Sequence, residues 1–186
     1  IPIPRALRIT PHLWNAVASA QVIILAIPSQ HLRGVVRRLK RSPLAGTALL
    51  SAAKGLEQGS LMRMSQVIAE ELGRVPAAAL SGPNIASEIA QGHPASSVVA
   101  SRDPRLAARL QGLLMSDRLR LYTSTDVAGV ELGGALKNPI AIAAGLSDGL
   151  GFGSNAKAAL ITRGIVEMAR LGVALGGREE TFWGLS

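Results

Sequence analysis

Apolar positions recur along this chain in two different ways, and the change between them divides the sequence. Up to about Ser124, short aliphatic runs alternate with stretches whose apolar residues return every three or four positions, the signature of strands alternating with helices. The clearest run is VIILAI at 22–27, bounded by Gln21 and Pro28; continuous aliphatics predict a strand buried on both faces, as in a parallel sheet. A basic helix is expected next, opened by Ser29 as its cap and running to about Lys40. Further strands are expected over 47–53, 77–81, 96–101 and 119–123, the second of these weak by propensity. Between them, helices are expected over 60–72, with Leu61, Met64, Ile68 and Leu72 as the buried face, over 84–91 with Asn84 as cap, and over 104–115. At the start, 8–10 reads as a short strand and 11–19 as a short helix with proline early in its first turn.

After Asp126 no further strand pattern occurs. Two long helices are predicted, over 127–148 and 155–175, the second with Arg163, Glu167 and Arg170 on its polar face. In the first, Leu132, Leu136, Ile140 and Ala143 form an apolar stripe, while Lys137 has Gly133, Gly134, Ala141 and Ala144 as helical neighbours. A lysine over so shallow a trough faces either closely packed backbone or a ligand; the plain alternative is a solvated helix lysine. Pro139 is expected to disturb the helix, freeing the Ala135 carbonyl close to Lys137.

Composition narrows the function classes. Hydrophobic residues make up 48% of 186 positions, enough for a sizeable core, but aromatics only 3%, so Ala, Val, Ile and Leu must fill it. Without cysteine there is neither a disulfide framework nor a thiolate metal site, and His12, His31 and His93 share no ligand spacing, so no metal is expected. The net charge of +8 suits nucleic acid, or a cationic field for a small phosphorylated anion; scattered arginines and a single Tyr give little for base stacking. Residues 33–41 are the one dense basic cluster, with Arg33, Arg37 and Arg38 on a solvated face or at a cofactor phosphate. No membrane span is expected: 9–32 lacks charge, but Pro11, Asn15, Gln21 and Pro28 interrupt it. No signal peptide is visible, and a chain that starts at Ile1 and stops at Ser186 reads as a piece of a longer protein.

Candidate chemistry gathers where strands are expected to end. Pro28-Ser29, Lys54-Gly55 and Ser81-Gly82-Pro83-Asn84 each follow a strand and lead to a helix start, where free N–H groups favour anions. Lys54 adds a full charge there, although on residue types alone the last of the three reads first as an ordinary turn with Asn84 as helix cap. Gly149-Leu150-Gly151-Phe152-Gly153 is not a nucleotide loop, because it follows a helix; no GxGxxG follows any strand, so a pyrophosphate loop, if a dinucleotide binds, lies outside this chain.

The runs SAAKGLE at 51–57, LSGPNIASEIA at 80–90, the stretch from ELGGALKN through NAKAALITRG to ALGG at 131–177, and TFWGLS at 181–186 resemble the NAD(P)-dependent glycerol-3-phosphate dehydrogenases of the bacterial type. The resemblance implies an α/β fold: a partial Rossmann-like parallel-sheet domain over 1–124, lacking its first βα unit, followed by the start of an all-helical substrate domain over 125–186. It implies reversible hydride transfer between dihydroxyacetone phosphate and sn-glycerol 3-phosphate, NAD or NADP as cofactor, a role in glycerophospholipid synthesis, and a cytoplasmic enzyme that binds no nucleic acid and could be a homodimer. Carried over by motif, Lys137 of ALKN is the general acid/base and a substrate contact. Lys54 of AAKG touches both substrate and nicotinamide, Gly82 and Asn84 of SGPN touch substrate, and Ala86 touches the cofactor. Two lysines side by side would repel, lowering one pKa toward working pH. Pro139 departs from the aliphatic residue common in the family. The alternatives are a related two-domain hydroxyacid reductase and a basic nucleic-acid-binding module.

Overall fold

The computed structural model describes residues 3–184. Of the expected domain ranges, Ile1, Pro2, Leu185 and Ser186 lie outside the described residues, the last two within the TFWGLS run. In chain order the elements are α1 (Leu13–Val17), β1 (Val22–Leu25), α2 (Ser29–Leu39), β2 (Ala48–Ser51), α3 (Met64–Leu72), β3 (Ala77–Ser81), α4 (Ala86–Ala90), β4 (Ala95–Ala100), α5 (Pro104–Leu114), β5 (Leu119–Ser124), α6 (Val127–Gly149), α7 (Gly153–Ala174) and α8 (Glu179–Phe182). Every described strand precedes Val127, and only helices follow it.

The strands form one sheet in sequence order, β1-β2-β3-β4-β5. β1, β2 and β3 are parallel, as are β4 and β5, but β3 and β4 run antiparallel, with Ala79 opposite Ala100 and Ser81 opposite Val98. The parallel sheet expected from the sequence is therefore broken once. The reason is length. A parallel crossover must carry the chain back along the sheet, which the 11 residues of α2 and the 9 of α3 can do. α4 has 5 residues and spans about 7.5 Å, against about 16 Å for a strand of that length, so the chain turns back instead. As a consequence, the carboxyl ends of β1–β3 share an edge with the amino ends of β4 and β5. α6 starts at the opposite edge, after Ser124, and crosses the sheet toward the first edge.

Aliphatic side chains explain the layers. Ile23, Leu25 and Leu49 pack under α2 and α3 against Leu32, Val36, Leu39, Met64, Val67 and Ile68. On the other face Ala48, Leu50, Ala78, Val99 and Leu121 meet Leu106, Ala107 and Leu110 of α5. α6 lays Val127 and Val130 on Ala79, Val98 and Ala100, and Leu132 packs with Met168, Ala169 and Phe182.

Several expectations about single elements are corrected. β1 is not buried on both faces: Ile24 is 48% exposed because no described element covers it. Residues 8–10 are not a strand, and α1 is shorter than expected. Ser29 is the first residue of α2, not its cap; Pro28 holds that position without a side-chain bond. α3 starts after Arg63, not at Ser60, because 57–62 closes into a turn: the Glu57 amide donates to the Met62 carbonyl and the Leu61 amide to the Glu57 carbonyl, both at 2.9 Å. Leu61 there has φ 56° and is exposed, and Leu72 is only half-buried. Pro139 does not interrupt α6, which stays helical from Val127 to Gly149.

Candidate active site

Lys54 stands three residues past the end of β2, and Gly82 directly follows the end of neighbouring β3. The Lys54 Nζ donates to the Gly82 carbonyl oxygen at 2.9 Å. Lys137 arrives on the same oxygen from α6, its Nζ donating at 2.7 Å. The Asn84 amide donates to it as well, at 2.9 Å. A carbonyl has two lone pairs, so three donors overload it, and each ammonium keeps further N–H groups for another acceptor. Gly82 has to be glycine: a Cβ would come within 2.8 Å of the Ser96 carbonyl oxygen and 2.9 Å of the Ser97 Cα, both backbone.

The trough beside Lys137 divides in two. On one side it is closed by close packing: Gly133 and Gly134 are buried, and a Cβ at Gly134 would collide with the Ser81 hydroxyl. On the other, Ala141 is exposed and Ala144 half-buried, leaving that flank open. Burial pushes the pKa of Lys137 down from 10.5, and the charge of Lys54 pushes it further, to about 8. The expected repulsion between the lysines is thus present, but burial is the larger cause. Among the described residues no carboxylate pairs with either lysine.

Asn84 does not cap α4; Ile85 holds that position. Its Nδ2 donates to the Ser96 carbonyl at 2.9 Å and its Oδ1 accepts from the Ser97 hydroxyl, which ties the loop after β3 to β4. Lys54, Gly82, Asn84 and Lys137 therefore form one hydrogen-bonded group. Ala86, the first residue of α4, is exposed and takes no part in that bonding.

Sequence reasoning missed the supports of this group. Arg33 does not lie on a solvated face: its guanidinium pairs with Glu57 at 2.7 Å and Glu71 at 2.7 Å, and Arg37 and Lys40 also hold Glu71. Gln30 adds a grip on the loop that carries Lys54, donating to the Leu56 carbonyl at 2.8 Å and accepting from the Gln58 amide at 2.8 Å. The bidentate Arg33 bond and the Ser60 hydroxyl hold the Glu57 carboxyl down at about 2. At the start of α6 the buried Asp126 accepts from the Gly129 and Arg178 amides and the Thr181 hydroxyl. Burial raises its pKa, but these donors outweigh burial and hold it below the usual value. Glu131 pairs with Arg63 of α3's cap. Apart from Ser60 with Glu57 and Gly129 with Asp126, each three residues apart, these partners lie 24 to 68 residues apart, so local spacing carries no sign of them. Ser81 was legible as part of SGPN; its hydroxyl and that of Ser51 are buried without partners on the sheet face that carries α6. No grouping of three potential metal ligands exists among the described residues, and no helix among them is long and apolar enough to cross a membrane.

Against known proteins, the family model described as NAD-dependent glycerol-3-phosphate dehydrogenase N-terminus matches residues 1–107, and the model for the C-terminus of the same family matches 126–186. Glycerol-3-phosphate dehydrogenase [NAD(P)+] of Thiobacillus denitrificans is 50% identical over 189 residues, covering 100% of this chain and 56% of that protein. The enzyme of the same name from Clostridium tetani is 43% identical over 186 residues, covering 100% of this chain and 53% of that one. The crystal structure of glycerol-3-phosphate dehydrogenase from Coxiella burnetii superposes with a TM-score of 0.93 at 41% identity, over 99% of this chain and 56% of that one. The chain spans about half the length of the curated relatives it matches.

Proposed function

Because the chain belongs to the NAD-dependent glycerol-3-phosphate dehydrogenase family, we propose that the complete protein carries out reversible hydride transfer between dihydroxyacetone phosphate and sn-glycerol 3-phosphate. The observation that carries this reading is the convergence of Lys54 and Lys137 on the Gly82 carbonyl, at the edge where three parallel strands end. A nicotinamide cofactor, NAD or NADP, supplies or takes the hydride when bound. The residues present fit its nicotinamide end. Ser29, Lys54-Gly55 and the Ser81-to-Asn84 loop lie along one edge, a Cβ on Gly55 would meet the Ser29 hydroxyl at 2.9 Å, and Ser51 and Ser81 bring unpartnered hydroxyls beneath. Lys54 and Ala86 are the contacts we assign to the cofactor. Its pyrophosphate loop has no counterpart in the 186 residues, which hold no glycine-rich turn after a strand.

In reduction, negative charge develops on the substrate carbonyl oxygen. Lys137 stabilises that charge and donates a proton to the oxygen; in oxidation it takes the proton back as the neutral amine. Lys54, whose Nζ lies 2.9 Å from the Gly82 carbonyl oxygen that Lys137 also meets, supplies a second positive charge that binds the anionic substrate. Gly82 and Asn84 shape the substrate side, Gly82 by leaving room for close strand approach and Asn84 by fixing the loop to β4. We assign residues 1–124 to the dinucleotide-binding part and 125–186 to the helical substrate part. The enzyme so read is cytoplasmic, serves glycerophospholipid synthesis, can form a homodimer and binds no nucleic acid; duplex binding that weakens steeply with salt would count against the last point.

The test is an assay of the complete protein with dihydroxyacetone phosphate and NADH or NADPH. Lys137→Ala is expected to lower kcat by at least about 10²-fold, the low end for a general acid, with dinucleotide affinity nearly unchanged. A folded Lys137→Ala protein keeping more than about a tenth of wild-type kcat would remove Lys137 from that role.

A further inference from the structure

α6 must bring Lys137 to the Gly82 carbonyl within hydrogen-bond distance, yet near that residue it meets the sheet through Gly134, which lies against the Ser81 side chain, with the buried Gly133 beside it. Two glycines allow close approach, but they offer no side chains to interlock. Such a surface resists sliding or rotation of the helix only weakly, because dispersion contacts are non-directional. Directional bonds have to supply what packing does not. Glu131 makes them, six residues before Lys137 and about 9 Å below it along the helix axis.

The Glu131 side chain is 6% exposed and saturated by donors from a single place, the first turn of α3. Its Oε2 accepts from Arg63 Nη1 at 2.7 Å and from the Ser65 hydroxyl at 2.5 Å, and its Oε1 accepts from the Ser65 amide at 2.7 Å. Arg63 also donates to the Ser65 hydroxyl at 3.0 Å, so the three groups lock one another. A carboxylate at a helix N-terminus is favoured by the helix dipole, and charge-assisted bonds of this kind are strong and directional. α3 itself is fixed to the sheet through Met64, Val67 and Ile68. The only charged side chains of α6 are Glu131, Lys137 and, at its far end, Asp148. One of the first two binds the helix to α3 and the other reaches the site.

We propose that Glu131 is a positioning residue: its ion pair with Arg63 and its bonds to Ser65 set the height and rotation of α6, and thereby hold the Lys137 ammonium at the Gly82 carbonyl. A shift of one residue along the axis moves Lys137 by 1.5 Å, and a misplacement near 1 Å can cost about 10²-fold in rate. The effect on turnover rests on the dehydrogenase reading above; the effect on the placement of Lys137 does not.

The test uses the complete protein and two independent readouts on Glu131→Gln, which keeps the shape of the side chain and loses its charge. The first readout is steady-state kinetics with dihydroxyacetone phosphate. The second is the titration of Lys137 by NMR of labelled lysine side chains, its resonance assigned by its absence in Lys137→Arg. We expect kcat to fall at least about tenfold with the dinucleotide KM within about twofold, and the Lys137 titration to move up as it leaves Lys54 and its buried position. Should Glu131→Gln fail to fold, Ser65→Ala, which removes one of the three donors, carries the same test with a smaller drop. A variant with a lower Tm but with kcat and the Lys137 titration as in wild type overturns the proposal and leaves the clamp a merely stabilising one. If the wild-type protein shows no reductase activity, the dehydrogenase reading fails and the Lys137 titration alone decides.

Discussion

Three donors crowd the Gly82 carbonyl oxygen, and two of them are full positive charges with no carboxylate among the described residues to offset them. Such an arrangement is costly in the folded protein and useful to an incoming anion. With its pKa lowered from 10.5 to about 8, Lys137 binds its proton less tightly in the folded chain than in the unfolded one. The unfolded state therefore holds more protons between those two values, and stability rises with pH across that window. Lys137→Met is accordingly expected to raise Tm at pH 7 and to lose that advantage near pH 10, as thermal melts at the two pH values will show; an equal gain at both would contradict the assigned burial. Lys54→Met removes the second cause of the shift, so the Lys137 titration should move upward while the KM for dihydroxyacetone phosphate rises; an unchanged KM and kcat would take Lys54 out of the site. Both lysines were legible in the sequence, one by its place after a strand and the other by its small-residue neighbours. Asn84 was legible as a special residue but misread as a cap, because its partners, Ser96 and Ser97, lie on the strand after the short helix. Glu131 carried no local sign, since Ser65 is 66 residues away.

The elements follow from the sequence where aliphatic runs decide them, as in β1 and β2, and β3, weak by propensity, is still observed over the residues expected. They depart from it where a cap or a turn decides, as at α3, whose start is set by the turn over 57–62 and by the Gln66 side chain accepting from the Arg63 amide at 2.9 Å. The reversal between β3 and β4 was in principle readable from the short stretch available for a crossover. Ion pairs add to the apolar packing of α2 on α3 and tie α2 to the loop before α3, and the Arg33–Glu57 pair has a pH signature. Because Arg33 and Ser60 hold Glu57 near 2 instead of 4.5, its contribution to stability is complete above about pH 4.5 and is lost as pH falls toward 2. Arg33→Met should therefore move the acid-unfolding midpoint to higher pH while leaving the neutral far-UV spectrum unchanged. An acid transition that stays where it was would mean that the pair contributes nothing to holding α2 and the Lys54 loop together.

At the scale of the molecule, the sheet supplies an edge, α6 spans it, and the Lys54–Gly82–Lys137 group forms only where the two meet. The antiparallel turn makes this possible: it lets the chain leave β5 at the far edge and return along α6, so that a residue ten positions into the helix arrives about 15 Å away at the ends of β2 and β3. The composition argument was least informative here, because the densest basic stretch, 33–41, is partly neutralised: Arg33, Arg37 and Lys40 are bound to carboxylates. The 186 residues alone are expected not to oxidise NADH or NADPH with dihydroxyacetone phosphate, since they hold no pyrophosphate loop; measurable turnover by this chain would contradict the division of labour assigned above. The most direct test of Lys137 as the proton donor and acceptor is the pH dependence of kcat in both directions in the complete protein. With its pKa at about 8, reduction of dihydroxyacetone phosphate should fall as pH rises through that value, oxidation of sn-glycerol 3-phosphate should rise through it, and both limbs should vanish in Lys137→Ala. Limbs of the same sign in the two directions, or limbs that persist in Lys137→Ala, would show that another group carries the proton.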